Sequence, residues 1–229
     1  RLYSTGQQAN NWTQFNNLTL EKTNSTLQGL TSVGFHIKVG GDLLITSGIL
    51  KGATTDGTNH DLTAGSLTIA SGGEYSATSG TTTITSRTSG GYSWYSPTTA
   101  STFTHNNGKV KLAYTGNETY WQGTGFYDLE IAGHSAYEHR YDDLTDGSGL
   151  TIFNNFTITE GRVRFNQGGD SVTVHGLTKM SGGQYGNTGT APSGTHNYLG
   201  GITMLGGAWQ TTSGTLNTSG LRILGGTFA

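Results

Sequence analysis

Short runs in which apolar and polar residues alternate, each closed by glycine, recur along the chain. Alternation over so few residues is typical of half-buried β-strands, and no segment shows the 3.6-residue period of an amphipathic helix. The pattern therefore predicts an all-β protein. Copies of the strand–glycine unit occupy residues 43–48, 67–73, 156–161, 177–183, 202–207 and 221–226.

The spacing of the units suggests how the strands are arranged. Gly48 and Gly72 are 24 residues apart, Gly161 and Gly182 are 21 apart, and Gly207 and Gly226 are 19 apart. A regular period of this kind is typical of solenoids, in which each coil buries its apolar face only by stacking on its neighbours. The prediction is a parallel β-solenoid (β-helix) with coils of about 19–25 residues. An antiparallel sandwich remains the alternative, with strands every ~8–12 residues.

The repeat divides the chain into a short first segment and a long solenoid. Residues 1–39 are predicted to form a strand-rich lead-in or cap, and residues 40–229 the solenoid, continuing into further chain. Residues 134–149 interrupt the pattern and are interpreted as a loop insertion. Because successive side chains of a strand point to opposite sides, the inward residues are predicted to be Leu67, Ile69, Phe156, Ile158, Leu177, Ile202, Leu221 and Ile223.

Composition supports a folded protein and narrows its partners. Glycine accounts for 38 of 229 residues, charged residues for only 11%, and the formal net charge is −2. Clustered Lys and Arg, which nucleic-acid binding requires, do not occur. No apolar run approaches the ~20 residues of a membrane-spanning helix. The chain has no cysteine, so neither disulfides nor thiolate metal sites are expected.

One part of the sequence resembles a known group of proteins. Residues 102–112, TFTHNNGKVKL, are followed at 125–131 by GFYDLEI. Together they resemble the "TFTHNNGxVxF … FYNLxI" repeats of large β-helical proteins of phage virions and bacterial surfaces. The resemblance implies a β-helical scaffold in a virion fibre, spike or decoration protein, located on a virion surface or otherwise extracellular. It implies no catalytic motif, since the scaffold alone does not determine function.

Aromatic residues are the first candidates for a binding site. Tyr and Trp are enriched at interfaces and can stack on sugars. The same rings could instead cover the core of a wide coil, and this alternative stays open. The candidates for binding a partner or a glycan are Tyr92, Trp94, Tyr95, Tyr120, Trp121, Tyr137 and Tyr141.

The predicted insertion is the most charged segment of the chain. It is a candidate surface for a partner, a sugar or a cation, or simply a solvated connection. Asp142, Asp143 and Asp146 could offer oxygen ligands to Ca²⁺. Their spacing does not match an EF-hand loop, and aspartates also favour turns. No cofactor or metal is therefore predicted.

Two further activities can be weighed from the outward positions. A glycosidase needs two carboxylates, one on each side of the sugar bond that it cleaves. Asp128 and Glu130 lie on the same side of one strand. Alternation places that side outward, opposite Tyr127, Leu129 and Ile131. An ice-binding surface needs aligned outward threonines, and Thr68, Thr157, Thr178 and Thr203 occupy matching places in their units. The ladder is broken by Leu44 and Arg222, so neither activity is favoured.

These observations favour a non-enzymatic structural and adhesive module of a phage virion. A bacterial cell-surface adhesin is the alternative, and a carbohydrate-active β-helix enzyme is the third possibility. Other virion or surface proteins are the expected partners, with a surface glycan as a further candidate. The exposed edge strands of a solenoid recruit other chains, so a homo-oligomer is expected.

Overall fold

The computed structural model describes residues 12–21, 26–27, 36–51, 60–96, 101–123, 125–134, 136–142, 149–165, 170–186, 194–211 and 213–229. These residues contain 26 short strands, and every pairing between them is parallel. The protein is an all-β, parallel β-solenoid with about 24 residues per turn. The predicted fold class is confirmed, and the antiparallel sandwich is excluded. Within the described residues, no helix has the length and apolar character needed to cross a membrane.

The coils have three faces, and the coil of residues 109–127 reaches the third only through a bridge between Phe126 and Ile152. Face 1 consists of β1 (Trp12–Phe15), the first half of β4 (His36–Ile45), the first half of β6 (Leu62–Ile69), β8 (Thr81–Ile84), β11 (Lys109–Leu112), β13 (Asp128–Ala132), β16 (Phe156–Glu160), β19 (Thr178–Met180), β22 (Ile202–Met204) and β25 (Leu221–Ile223). Face 2 consists of β2 (Leu18–Leu20), the second halves of β4 and β6, β9 (Tyr92–Tyr95), β12 (Thr119–Gln122), β14 (Glu138–Tyr141), β17 (Arg162–Phe165), β20 (Gln184–Tyr185), β23 (Ala208–Trp209) and β26 (Thr227–Phe228).

Face 3 consists of β3 (Thr26–Leu27), β5 (Gly48–Lys51), β7 (Gly73–Ser76), β10 (Thr102–Thr104), β15 (Leu150–Ile152), β18 (Val172–Val174), β21 (Thr195–Tyr198) and β24 (Thr215–Thr218). Faces 1 and 2 belong to one 18-stranded sheet, because β4 and β6 run through the corner between them. Strands β1 and β2 pair in parallel with β4. The ladder therefore already includes residues that the sequence assigned to the lead-in.

The coil length varies more than the glycine spacing suggested. Leu43 pairs with Leu67, a step of 24 residues, and Met204 pairs with Ile223, a step of 19. Ile84, however, pairs with Leu112, a step of 28 residues. The mean of about 24 residues per turn lies within the predicted range of 19–25. Individual middle coils exceed it because they carry extra residues between their strands.

The interior of face 1 is a column of alternating side chains. Leu129 and Ile131 pair with Phe156 and Ile158, and all four are buried. The same alternation buries Leu67 and Ile69 on face 2. The predicted inward direction is therefore confirmed for Leu67, Ile69, Phe156, Ile158 and Ile202. Burial of this kind contributes roughly 1.5–3 kcal/mol for each aliphatic or aromatic side chain.

The prediction that Leu177 points into the core is wrong. Phe156 pairs with Thr178 and Ile158 with Met180, so Thr178 and Met180 point inward while Leu177 is 41% exposed. The predicted threonine ladder fails for the same reason. Thr178 is buried, Lys179 lies in the outward column between Thr157 and Thr203, and Thr68 lies on face 2 opposite Tyr95. An aligned ice-binding surface of these residues is thus excluded.

The inward columns of side chains continue into the last described coil, but no further coil covers the residues there. Leu221 and Ile223 pair with Ile202 and Met204, as predicted, but they are 44% and 46% exposed. They occupy inward register positions on the final described strand of face 1. Their solvent exposure therefore reflects their place in the stack and does not contradict their direction.

The corner between β10 and β11 explains the HNNG motif. Asn106 and Asn107 have φ angles of 45° and 61°, a conformation that asparagine tolerates better than most residues. The Asn106 amide donates hydrogen bonds to Ser76 Oγ at 3.0 Å and to the Ala77 carbonyl at 2.6 Å. A Cβ on Gly108 would lie 2.2 Å from the Thr78 carbonyl oxygen. Glycine is required there because the preceding coil passes so close.

A strand of the solenoid runs through the segment predicted as an insertion. Residues 138–141 form β14, which pairs with β12 on one side and β17 on the other. The interpretation as a loop insertion is therefore wrong for residues 138–141. Asp143 and Asp146 lie outside the described residues.

Candidate functional site

The outer surface of face 2 gathers the polar and aromatic residues that do not serve the core. Tyr92 pairs with Tyr120, Tyr120 with Arg140, and Arg140 with Arg164. Because register partners in a parallel ladder lie side by side, these four residues form one outward column across consecutive coils. We call the surface around this column the tyrosine–arginine patch. It consists of Tyr92, Tyr95, Glu118, Tyr120, Glu138, Arg140, Asp142 and Arg164.

Three partly exposed tyrosines form one end of the patch. The ring of Tyr92 lies 4.6 Å from that of Tyr95 and 5.6 Å from that of Tyr120. The Tyr92 hydroxyl donates a hydrogen bond of 2.8 Å to Asp142 Oδ2. Partial burial, followed by this hydrogen bond, raises the pKa of Tyr92 well above its ordinary value. Tyr92 is therefore a neutral hydrogen-bond donor held in one orientation.

Arg140 connects the tyrosines to the carboxylates. Its Nη2 lies 2.9 Å from Glu118 Oε2, and its Nε donates to Glu138 Oε2 at 2.8 Å. Its guanidinium carbon lies 5.8 Å from the centre of the Tyr120 ring, within the range of a cation–π contact. Arg164 Nη1 donates to the same Glu138 oxygen at 3.1 Å. Both ends of the Arg140 guanidinium are thus fixed.

The ionisation states of the patch follow from these pairs. Partial burial alone would raise the pKa of Glu138, but hydrogen bonds from Arg140 and Arg164 outweigh it and hold that pKa below its ordinary value. Partial burial likewise opposes the charge of Arg140, while Glu138 and Glu118 raise its pKa overall. Both residues therefore stay charged at neutral pH, and the patch presents a fixed pattern of positive, negative and aromatic groups.

Three predicted site residues lie on the opposite side of the same strands. Trp94 pairs with Trp121, and Trp121 with Tyr141. All three are buried, and the rings of Trp121 and Tyr141 are 4.8 Å apart inside the solenoid. The interpretation of Trp94, Trp121 and Tyr141 as exposed binding rings is wrong. Their large side chains fill the interior of face 2.

Tyr137 is exposed at the corner that precedes the patch residue Glu138. It is 37% exposed, and its ring lies 5.4 Å from that of His134 in the corner before β14. The structure therefore brings together Tyr92, Tyr95 and Tyr120 from the predicted set. The sequence interpretation included Glu138 and Arg140 in the charged segment proposed as a binding surface, but it did not single them out. Both alternate with buried His139 and Tyr141 in β14.

The carboxylates considered for catalysis are on the outer side of face 1, as predicted, and are engaged in other contacts. Asp128 Oδ1 accepts hydrogen bonds from Asn154 Nδ2 at 3.0 Å and from the Asn155 backbone N–H at 2.9 Å. Glu130 forms ion pairs with Lys109 at 3.1 Å and Lys111 at 2.8 Å. Phe126 takes the inward position expected for Tyr127.

Within the described residues, no group of three or more His, Asp or Glu side chains is arranged to hold a metal ion. Asp142 is the only member of the suggested calcium set inside that part of the chain, and it accepts the hydrogen bond from Tyr92. A calcium site formed with Asp143 and Asp146 stays untested.

A scan against protein-family models returned no match to the chain. Searches of curated proteins and of solved structures also returned no match.

Proposed function

We propose that this chain is a non-enzymatic structural and adhesive module of a phage virion, in a fibre, a spike or a capsid-decorating protein. Its solenoid acts as a stiff support, and the tyrosine–arginine patch binds another protein of the particle or a further copy of this chain. The observation that carries the proposal is the outward column of Tyr92, Tyr120, Arg140 and Arg164 on one sheet face.

The composition and order of the patch favour protein binding. Tyr and Arg are over-represented among residues that dominate interface energies. Their side chains are already oriented here, because Tyr92 is hydrogen-bonded to Asp142 and Arg140 is paired with two glutamates. Groups held in place before binding lose less conformational entropy when a partner docks. A parallel sheet also keeps their spacing constant.

The resemblance of residues 102–112 and 125–131 to virion repeats supports the biological setting. In the solenoid, the HNNG part of that motif forms a corner at which coils approach closely, so its function is architectural. The same architecture suits a bacterial cell-surface adhesin, which remains the second candidate. Either protein would be extracellular or exposed on a particle.

The first experiment locates the protein and removes the patch. Mass spectrometry and immunogold labelling of purified virions should find the protein on the particle, whereas an adhesin would be found on the cell envelope. Tyr120→Ala and Arg140→Ala should each weaken attachment about thirtyfold if these residues are interface anchors. Tyr137→Ala is the matched control, since this tyrosine is exposed in a corner and should be neutral.

Two outcomes would contradict the proposal. If all three variants attach as the parent does while keeping the parent's circular dichroism, the patch is not the binding surface. If the protein is missing from both particles and envelopes, the structural and adhesive assignment itself fails.

A further inference from the structure

The hydroxyl of Tyr92 is held against a carboxylate from a distant part of the chain. Tyr92 begins β9, and Asp142 directly follows β14, two coils further along the solenoid. The Tyr92 hydroxyl donates its hydrogen bond to Asp142 Oδ2 at 2.8 Å. Hydrogen bonds to an ionised acceptor are shorter and stronger than neutral ones. The phenolic proton of Tyr92 therefore already points at a group that can accept it.

This hydrogen bond favours one kind of chemistry, the loss of an electron from the phenol. A phenol that has lost an electron is a very strong acid, so its oxidation is easier when a base takes the proton in the same step. Partial burial, followed by the hydrogen bond to Asp142, raises the pKa of Tyr92. Tyr92 therefore keeps its proton at neutral pH until an oxidant arrives, and Asp142 is placed to receive that proton as the electron leaves.

A second tyrosine lies against Tyr92 on the same strand. Ser93 and Trp94, which separate Tyr92 from Tyr95, are both buried, so the two tyrosines reach the outer surface together. Their ring centres are 4.6 Å apart, and the ring planes are tilted by 55°. Both rings are partly exposed, so small oxidants in the solvent can reach them. Two tyrosyl radicals this close can join through the ring carbons next to their hydroxyls, which gives dityrosine.

Tyr120 is the third tyrosine of the patch, but a cation lies over its ring. Its centre is 5.6 Å from that of Tyr92 and 5.8 Å from the guanidinium carbon of Arg140. Arg140 Nη1 also donates to the Tyr120 hydroxyl at 3.5 Å. A positive charge makes removal of an electron harder, and a guanidinium has no acceptor for the proton. Coupling of Tyr92 should therefore favour Tyr95 over Tyr120.

Two other tyrosines provide comparisons. The Tyr185 hydroxyl lies 2.8 Å from His196 Nδ1, which can also accept a proton, but both residues are buried and a solvent oxidant cannot touch them. Tyr137 is 37% exposed, but the ring next to it, 5.4 Å away, is the imidazole of His134. Tyr92 combines what these residues have separately, an acceptor for its proton and access from solvent, with a second tyrosine in contact.

We propose that Tyr92 and Tyr95 form an oxidation site at which one-electron oxidants, such as peroxyl radicals or high-valent metal complexes, produce an intramolecular dityrosine cross-link. One oxidant molecule takes an electron from Tyr92 while the phenolic proton moves to Asp142, and a second takes an electron from Tyr95, whose proton passes to water. The radicals form a carbon–carbon bond between their ortho positions. Each of these carbons then loses its proton, and each phenolic oxygen regains one. In total, two electrons pass to the oxidants and two protons to the solvent.

Photo-oxidation of the purified protein with a ruthenium tris-bipyridyl complex and persulfate, which together supply a one-electron oxidant in light, tests the proposal. Trypsin cleaves after Arg87 and Lys109, and the peptide between these sites contains only the tyrosines Tyr92 and Tyr95. In the parent protein, mass spectrometry should find this peptide lighter by two hydrogen atoms, together with dityrosine fluorescence. Tyr95→Phe should abolish this product.

Asp142→Asn tests the proton acceptor itself. The asparagine oxygen can still accept the hydrogen bond of Tyr92 but cannot take up its proton. Cross-linking should therefore slow about tenfold, as the loss of a charged hydrogen-bond partner implies. Tyr137→Phe is the control and should react as the parent does. Circular dichroism before illumination verifies that each variant is folded.

Four results would overturn the proposal. These are an equal rate in Asp142→Asn, a larger yield of the link from Tyr92 to Tyr120, oxidation mainly at Tyr137 or Tyr185, and a cross-link found only between copies of the chain. The link to Tyr120 is recognised because it joins peptides 88–109 and 112–140, and a link between copies because it joins two peptides 88–109. The chemistry needs no partner at the patch, so these outcomes leave the proposed attachment function untouched.

Discussion

The two sides of face 2 are built from the same strands but have different tasks. In β12, Trp121 points inward and is buried, whereas its neighbour Tyr120 points outward and lies under the Arg140 guanidinium. In β14, His139 and Tyr141 are inward, while Glu138 and Arg140 are outward. A single step along the strand thus changes a residue from core filler to binding candidate. The comparison shows that aromatic content by itself does not locate a surface.

The largest expected effect comes from truncating the inward side. Trp121→Ala should destabilise the protein by about 3–5 kcal/mol, because it removes a fully buried indole and leaves a cavity between neighbouring coils. Tyr120→Ala, one residue away, should cost about 1 kcal/mol or less, as surface changes do. Urea unfolding followed by circular dichroism measures both. Equal losses of unfolding free energy in the two variants would show that inward and outward side chains contribute equally to stability.

A smaller effect should appear on lowering the pH. His139 is inward on face 2, and burial lowers its pKa from 6.5 to about 4. The unfolded chain takes up this proton below about pH 6.5, but the folded chain does so only near pH 4. Stability is therefore complete above pH 6.5 and falls by about 3 kcal/mol as the pH drops to 4.

Replacement of the buried imidazole isolates this contribution. His139→Leu should flatten the fall in unfolding free energy between pH 6.5 and pH 4, leaving the part due to His196, whose pKa burial also lowers to about 4. His175→Leu is the control, since His175 is exposed. An unaltered slope in His139→Leu would mean that this imidazole is not held neutral by burial.

The smallest effect belongs to the outward ion pairs. A double-mutant cycle of Arg140→Ala and Glu138→Ala should give a coupling energy of about 0.5–1 kcal/mol, because exposed pairs are screened by water. The coupling should shrink as salt is added. A coupling energy of several kcal/mol that did not change with salt concentration would contradict this expectation. It would indicate that the ion pair is shielded from water like a buried one.

The fold was predictable from the sequence where apolar and polar residues alternate in a way that leaves one choice of which residues point inward. Phe156 and Ile158 are both apolar and two residues apart, with Thr157 between them, so only one phase buries them. The segment 177–180 allows two phases, and the leucine at 177 was misleading. An inward Leu177 would also turn Lys179 inward, and burying an unpaired ammonium is costly. That cost favours Thr178 and Met180, and it was readable in the sequence.

The candidate site was harder to predict because a bulge and the coil alignment intervene. The register shifts between Tyr120 and Trp121, so Tyr92 and Trp94 face opposite sides although they are two residues apart. Simple alternation would have placed them together.

The parallel pairing on three faces also has a consequence for resistance to proteases. Interior coils are hydrogen-bonded to the coil before and the coil after, and their side chains stack in the same columns. One cut peptide bond at a corner therefore frees no fragment, because the chain on each side of the cut is still held by neighbouring coils. Release requires the separation of two whole coils, so isolated nicks leave the rod intact.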